Sequence, residues 1–191
     1  MSKNYKLVLM GILTAIIVLQ NFVPFLGYIP IQPFNPTIIH ITVIIGAVYL
    51  GAWYGAALGG VWGAVCLFRA FALPTSPIDP IVFTNPLVSL LPRILVGLAA
   101  GALFIALSKT KIPRPAGFAV CGIAGSVTNT VLVLGSIYLL YKAPYAEFYG
   151  MAAGDLLPAM LAVVGTNGVA EAITAGILTP VIAGALMKIR S

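Results

Sequence analysis

The chain has 191 residues, of which 61% are hydrophobic and only 7% are charged. Soluble domains carry roughly 25% charged residues, so this composition excludes an ordinary soluble protein and predicts one integral membrane domain over residues 1–191. Ten basic and four acidic residues give a formal net charge of +6, but the basic residues lie mainly at the ends of apolar runs without an aromatic-interleaved basic face, which argues against a nucleic-acid partner.

Six apolar runs predict an all-α bundle of six transmembrane helices. A lipid-exposed chain must satisfy its own backbone hydrogen bonds, and the runs lack the alternation of a membrane barrel. Residues 37–68 would measure about 48 Å as one helix, which exceeds the hydrocarbon thickness, so we place a turn at Gly51–Gly55. The predicted spans are 5–23, 37–51, 54–72, 82–107, 116–141 and 157–187.

The first span, residues 5–23, is interpreted as a retained helix. No A-x-A cleavage pattern follows its apolar residues, which argues against a signal peptide. Gly11 and Ala15 form a small-xxx-small pair at which a partner helix can approach closely. Packing within the bundle explains the pair equally well, so the motif alone leaves both interpretations open.

Two connecting segments are rich in proline. Residues 24–36 contain four prolines and residues 74–80 contain three. Because proline fixes its own φ and restricts the preceding residue, both segments are expected to hold a defined shape. They either cover the mouth of the bundle as a lid or simply end helices. A third segment, 142–157, carries aromatic residues suited to the membrane interface.

The distribution of basic residues predicts the orientation. With six spans, seven of the ten basic residues fall on one face, in the N-terminal segment, the loop 108–115 and the C-terminal segment. Five spans would divide them between the two faces. By the positive-inside rule we place both termini in the cytoplasm.

A polar stripe in the fourth span is the strongest functional signal. An arginine about ten positions inside an apolar run is costly in lipid, so it is expected to face a bundle interior, a cavity or a substrate. Four-residue spacing puts the members on one face of a helix. They are Asn85, Ser89, Arg93, Gly97 and Gly101.

Other polar residues lie at similar depth in the fifth and sixth spans. Asn129, Asn167 and Glu171 are expected to converge with Arg93, and such a site suits a small polar molecule with an anionic or amide-bearing head. The alternative is that Arg93 and Glu171 form a buried ion pair and that the asparagines hold helices together.

Three residues of the second and third spans complete the candidate set. Trp62 can supply an aromatic wall, and Arg69 and His40 can supply polar groups, depending on the rotation of their helices. Trp62 also serves as simple packing, Arg69 can snorkel to headgroups, and His40 can be an internally bonded helix residue.

The residue inventory argues against an enzyme. One histidine and four acidic residues leave little for a catalytic cluster, and the phosphate-binding glycine loop is absent. Cys66 and Cys121 show neither CxxC nor Cys/His spacing, so we expect no metal or other cofactor. If the protein moves a solute uphill, it must use an ion gradient or a partner subunit.

The whole chain resembles the substrate-binding S components of energy-coupling factor (ECF) vitamin transporters. The resemblance rests on GILTA at 11–15, the proline-rich first loop and FTNPLVSLLPRILVG at 83–97. Within that family the chain is most similar to the pantothenate-specific members, through the strings at 29–47 and 62–93 and the mid-span Asn129.

This resemblance implies a role. Such subunits bind a vitamin from outside in the cell membrane of a prokaryote, and they work with a transmembrane coupling protein and two ATPases. Gly11 and Ala15 would contact the coupling protein. Arg93 would receive the carboxylate of pantothenate, and Asn85, Asn129 and Asn167 would serve its amide and hydroxyls.

Two alternatives stay open. The cargo can be a different vitamin or a neutral pyrimidine precursor, in which case Trp62 and the asparagines would dominate the site. The chain can also be a structural or regulatory membrane subunit without small-molecule cargo, with its polar stripes acting only between helices.

Overall fold

The structure is a computed structural model that describes residues 2–27 and 37–190. Within these residues the helical fold expected from the composition is confirmed. Most of the predicted proline-rich loop 24–36 lies outside them. The helices are α1 (Lys3–Phe22), α2 (Pro24–Gly27), α3 (Ile39–Leu50), α4 (Ala52–Ala72), α5 (Asp79–Val82), α6 (Pro86–Ser89), α7 (Leu91–Leu107), α8 (Arg114–Phe148), α9 (Leu156–Val163) and α10 (Val169–Arg190), with a π-helical turn at Val164–Gly168.

Five helical stretches of the described chain are long and apolar enough to cross a membrane: Lys3–Phe22, Ala52–Ala72, Pro86–Leu107, Arg114–Phe148 and Leu156–Lys188. The predicted second span corresponds to α3, which has only 12 residues. At 1.5 Å per residue α3 measures about 18 Å, less than the roughly 30 Å of a hydrocarbon core. The count of six spans stays a prediction.

Helix α3 is the centre of the bundle. Each of its residues is buried, and it contacts α1, α4, α7, α8 and α10. Because its sequence has no polar face, burial on all sides is the arrangement that suits it. It ends at Gly51, whose φ of +117° favours glycine. Helix α4 begins at the next residue, so the chain turns at Gly51 alone, and residues 52–55 of the predicted turn belong to α4.

Helices α4 and α7 approach each other closely because glycines face the contact from both sides. A Cβ atom added at Gly59 would lie 2.0 Å from the carbonyl oxygen of Arg93, and one at Gly97 would lie 2.1 Å from that of Gly55. Small residues allow such backbone contact between membrane helices. Gly97 and Gly101, the last two members of the predicted stripe, therefore both lie in close contact with α4.

The prediction of one continuous helix over residues 82–107 is wrong. The chain forms α5, α6 and α7 there, with breaks at residues 83–85 and at Leu90. Pro86 and Pro92 lie in the first turns of α6 and α7, where a missing N–H is tolerated. Asn85 precedes α6 as its N-cap and therefore does not share a helix face with Arg93.

The helices at the two ends of the chain meet at the same end of the bundle. The hydroxyl groups of Tyr5 and Tyr49 are 3.3 Å apart, and Tyr49 donates to the carbonyl of Leu186 at 3.2 Å. Phe104 stacks on Phe118 where α7 leads into α8, with 5.0 Å between ring centroids. We call the end that holds the start of α1, the last turns of α10 and the loop 108–113 the basic end.

Helix α8 continues past its predicted end at residue 141. It kinks at Tyr141, where φ is −132° and ψ is 20°, and Pro144 follows within the helix. The segment predicted to lie at the interface, 142–157, is therefore helical up to Phe148. Beyond the kink, α8 packs with the 78–88 region and the start of α9 in a small apolar cluster of its own.

Candidate functional site

A cavity of about 750 Å³ opens at the end of the bundle opposite the basic end. Its walls come from the end of α1, the second half of α4, the segment 73–83 and the start of α7. The described residues that line it are Asn21, Phe22, Phe25, Thr37, Trp62, Cys66, Arg69, Leu73, Thr75, Ser76, Asp79, Phe83 and Arg93. This mixture of aromatic surface with a few polar and charged groups is typical of a small-molecule site.

Arg93 lies at the inner wall of the cavity with only 7% of its surface exposed. Its Nη1 donates to the carbonyl of Val88, just before the break at Leu90. The guanidinium lies over the rings of Trp62 and Phe83, 5.1 Å and 5.7 Å from their centroids. These contacts stabilise a buried cation and fix its plane beside the cavity.

The contact between Trp62 and Arg93 is a product of helix packing. Trp62 is 2% exposed and lies on α4 between Gly59 and Gly63. A Cβ atom at Gly59 would overlap the backbone of α7 at Arg93, and one at Gly63 would overlap the backbone at Ser89 and Leu90, just before α7. Helix α7 therefore approaches near enough to bring the Arg93 guanidinium over the Trp62 indole. Trp62 is both a packing residue and a wall of the cavity.

Arg69 also borders the cavity, near the end of α4. Trp62, Cys66, Arg69 and Leu73 share one face of the helix through their spacing of four, three and four residues. At 1.5 Å per residue, Arg69 lies about 10 Å farther along the axis than Trp62. The cavity thus has an arginine at its inner wall and another toward its mouth.

Asn85 and Ser89 lie outside this lining and maintain the helix break. The Oδ1 of Asn85 accepts from the backbone N–H of Leu87 at 2.9 Å, and its Nδ2 donates to the hydroxyl of Tyr141 at 3.1 Å. The buried Ser89 hydroxyl donates to the carbonyl of Asn85 at 3.0 Å. Their hydrogen bonds cap α6 and connect it to the kink in α8.

His40, Asn129 and Asn167 form a separate group of buried polar atoms. Both ring nitrogens of His40 and the Oδ1 atoms of both asparagines have no hydrogen-bond partner among the described residues. Buried groups of this kind are normally satisfied by water or by a ligand. They provide unused hydrogen-bonding capacity behind the cavity.

Helix register places these atoms at one level. Ile44 contacts α8 at Gly125, and α3 runs toward the basic end while α8 runs away from it. His40, four residues before Ile44, and Asn129, four after Gly125, are therefore both displaced by about one turn toward the cavity end. Gly168 lies against Thr130, which brings the neighbouring Asn167 to the same level.

Glu171 connects this deeper group to the cavity. Its Oε1 accepts from the backbone N–H of Thr37 at 2.7 Å, and Thr37 lines the cavity. Arg93 is also close enough to act electrostatically on the Glu171 carboxylate. The alternatives of substrate contact and ion pairing for Arg93 therefore both remain consistent with its position.

Several lining residues were not identified from the sequence. Asn21 is 2% exposed, its Nδ2 donates to the carbonyl of Ile17 at 2.7 Å, and its Oδ1 accepts from the Cys66 thiol at 3.7 Å. A buried polar residue in the last turn of an apolar span was the available signal. Asp79 and Phe83 come from a segment interpreted only as a loop or a helix start.

Gly11 and Ala15 lie far from the cavity on an exposed face of α1. A Cβ atom at Gly11 would meet no described atom within 4 Å. Exposed Ile12, Ile16 and Leu19 lie close by on the same helix. Contacts within the bundle therefore do not account for a glycine at this position.

Comparisons with known proteins identify the family. Residues 5–183 match the profile described as "ECF transporter, substrate-specific component". The chain is 36% identical to a pantothenate transporter PanT of Leuconostoc mesenteroides, over 98% of this chain and 95% of the relative. It is 34% identical to a pantothenic acid transporter PanT of Lactococcus lactis, over 100% and 97% of the two chains.

The fold has a solved counterpart. The structure of ThiT from Listeria monocytogenes superposes with a TM-score of 0.60 at 14% sequence identity, covering 96% of this chain and 97% of that one. The curated relatives are transporters, which confirms the prediction of a transport subunit rather than an enzyme. From the family match and the full-length relatives, the chain belongs to the substrate-specific S components of ECF transporters.

Proposed function

We propose that this S component binds pantothenate in the 750 Å³ cavity and delivers it across the cell membrane of a prokaryote. The basic end faces the cytoplasm, so the cavity opens to the outside. A coupling protein and two ATPases complete the transporter. The proposal is supported by the two curated relatives, whose names specify pantothenate or pantothenic acid.

The observation that carries the substrate assignment is the buried guanidinium of Arg93 in the cavity wall. Pantothenate has a carboxylate at one end, then an amide and two hydroxyls. A guanidinium that donates to the Val88 carbonyl and lies over two aromatic rings is held as a planar fork at the cavity wall. Such a fork suits a carboxylate, since both are planar and two parallel hydrogen bonds can form.

The rest of the molecule has suitable surroundings. Aromatic surface at Trp62, Phe83 and Phe22 can pack against its alkyl portions, and Thr37 and Asn21 supply polar atoms nearby. His40, Asn129 and Asn167 can take amide or hydroxyl groups where substrate reaches the deeper group. Each of these atoms would then gain a partner that it lacks within the described residues.

The test is calorimetric titration of the purified protein with pantothenate. We expect Arg93→Lys to weaken binding by about 1–3 kcal/mol, because the charge stays but the fork is lost. Arg93→Gln is expected to weaken pantothenate binding by at least as much. Arg114→Gln, which removes an exposed arginine at the basic end, is the matched control and should bind as the unchanged protein does. Unchanged affinity in a folded Arg93→Gln protein would contradict the carboxylate role.

The same variants test the ion-pair alternative. If Arg93 mainly neutralises Glu171, then Arg93→Gln leaves a buried acid uncompensated and lowers the thermal stability of the protein without ligand. Adding Glu171→Gln should then restore much of that stability, which is a double-mutant comparison. If Arg93 mainly binds substrate, the stability of ligand-free Arg93→Gln should stay close to that of the unchanged protein.

Two controls address the cargo itself. A panel of other vitamins and a pyrimidine precursor in the same calorimeter tests whether a neutral molecule binds more tightly than pantothenate. Mass spectrometry of whatever co-purifies gives an independent identification. A protein that binds no member of the panel would favour a structural or regulatory role.

The exposed face of α1 is our proposed docking surface for the coupling protein. The space above Gly11 allows a partner helix to approach its backbone, and Ala15 extends the small surface by one turn. Exposed Ile12 and Ile16 flank it with apolar side chains. The absence of a nucleotide-binding loop in the sequence agrees with ATP hydrolysis on separate subunits.

A further inference from the structure

Two arginines border one small recess that shares most of its lining with the cavity. The recess has a volume of about 100 Å³, and Arg69 from α4 and Arg93 from α7 both line it, together with Cys66, Asp79 and Phe83. Cys66, which lies between them along the cavity wall, is close enough to interact electrostatically with both cations. The recess therefore receives positive charge from two different helices.

Asp79 is the acidic residue of the recess, and it is fixed by its own turn. Its Oδ2 accepts from the backbone N–H groups of Thr75 and Ser76, both at 2.9 Å, and from the Thr75 hydroxyl at 2.8 Å. With one carboxylate against two guanidinium groups, the charged side chains lining the recess sum to +1. One additional negative charge would bring that sum to zero.

The guanidinium of Arg69 is available for hydrogen bonds to a ligand. Within residues 2–27 and 37–190, no hydrogen bond or ion pair engages its guanidinium. The undescribed segment 28–36 contains no acidic residue in its sequence. Arg69 and Arg93 repel each other across the recess, and Asp79 offsets only one of their two charges.

We infer that Arg69 is the second guanidinium of a carboxylate subsite, and that the recess between Arg69 and Arg93 holds the carboxylate of the substrate. This inference rests on the proposed function. A carboxylate has two oxygens and about four lone-pair sites, so it can accept from two guanidinium groups at once. The amide and hydroxyl portion then lies in the larger cavity.

The subsite makes a specificity prediction. Because the lining charge is +1, a monocarboxylate is favoured over an uncharged analogue of the same shape. Pantothenol, in which a primary alcohol replaces the carboxylate, is such an analogue. Arg69 should contribute to pantothenate binding and contribute little to pantothenol binding. A residue that only extends toward lipid headgroups would affect neither.

The experiment measures both ligands by calorimetry on four proteins: unchanged, Arg69→Gln, Arg69→Lys and the Arg114→Gln control. We expect Arg69→Gln to weaken pantothenate binding about tenfold or more, on the scale of a charge-assisted hydrogen bond. Pantothenol binding should be unchanged by it. The pantothenate affinity of Arg69→Lys should lie between those of the unchanged protein and Arg69→Gln, because lysine keeps the charge without the planar fork.

The outcomes separate this inference from the proposed function. If Arg69→Gln binds pantothenate with unchanged affinity while Arg93→Gln binds it more weakly, the role of Arg69 in the carboxylate subsite is refuted and the proposed function still stands. An equal loss for both ligands would also overturn it, since that would indicate altered packing. If Arg69→Gln does not fold, an Arg69→Lys protein with full affinity overturns the inference. An unchanged protein that does not bind pantothenate overturns both.

Discussion

Replacing Gly59 by alanine tests the packing that places Arg93 beside the cavity. The added methyl carbon would lie 2.0 Å from the carbonyl oxygen of Arg93 and 2.6 Å from its carbonyl carbon. Carbon and oxygen atoms approach to about 3.3 Å even in close C–H···O contacts. Helix α7 would therefore have to move away from α4 by about 1.3 Å at Arg93 itself.

The neighbouring Gly60 supplies the control. It lies on the same helix, but a methyl group there would be 3.8 Å from its nearest neighbour, a side-chain carbon of Ile94. Both substitutions gain the same helix propensity of about 0.5–1 kcal/mol, so this gain cancels in the comparison. The difference between the variants is then the overpacking cost, about 1–3 kcal/mol.

Thermal unfolding of the two ligand-free variants in one detergent measures this difference. We expect Gly59→Ala to have a lower Tm than Gly60→Ala, at about 2–4 °C per kcal/mol for a chain of this size. Displacement of the Arg93 backbone should also weaken pantothenate binding in Gly59→Ala, while Gly60→Ala keeps its affinity. Equal Tm values and equal affinities would refute the argument that close backbone contact sets the position of the arginine.

Two further predictions concern the partner and the membrane. Replacing Gly11 and Ala15 together by leucine should abolish uptake in cells while pantothenate binding by the isolated protein is retained, because both lie on an exposed face of α1; loss of binding as well would mean that the pair supports the bundle. A cysteine at Ser108, at the basic end, should react with impermeant reagents only from the cytoplasm, and one at Ser76, in the cavity lining, only from outside. Labelling of both from one side would contradict the proposed orientation. The corresponding cysteine at Ser191 lies outside the described residues and is expected to behave as Ser108 does.

Local sequence was sufficient to predict the class of the protein and most of its helices. Apolar runs of about 20 residues specify membrane helices because each must satisfy its backbone hydrogen bonds within itself. The local sequence also indicated a turn at Gly51, and it identified Arg93 as a functional candidate because an arginine lies inside an apolar run. The sequence also contained a signal for the helix break before Arg93, since Asn85 followed by Pro86 is a typical helix-start pattern.

Tertiary structure decided which residues face one another. In a soluble helix a polar face indicates the direction of the core, but membrane helices are apolar toward lipid and toward the core alike, so their rotation is poorly encoded in hydropathy. Asn21, Asp79 and Thr37 line one cavity with the arginines only because α1, the 73–83 segment and the residues just before α3 converge at one end of the bundle.

The short α3 shows the same division between local and tertiary information. Its sequence predicted a helix, but its burial on every side follows from five surrounding helices that the local pattern does not specify. The spacing of Asn85, Ser89 and Arg93 predicted one stripe, yet the prolines ended the helix between them and gave Asn85 a capping role. The site depends instead on glycines of α4, which let Trp62 and Arg93 meet across two helices.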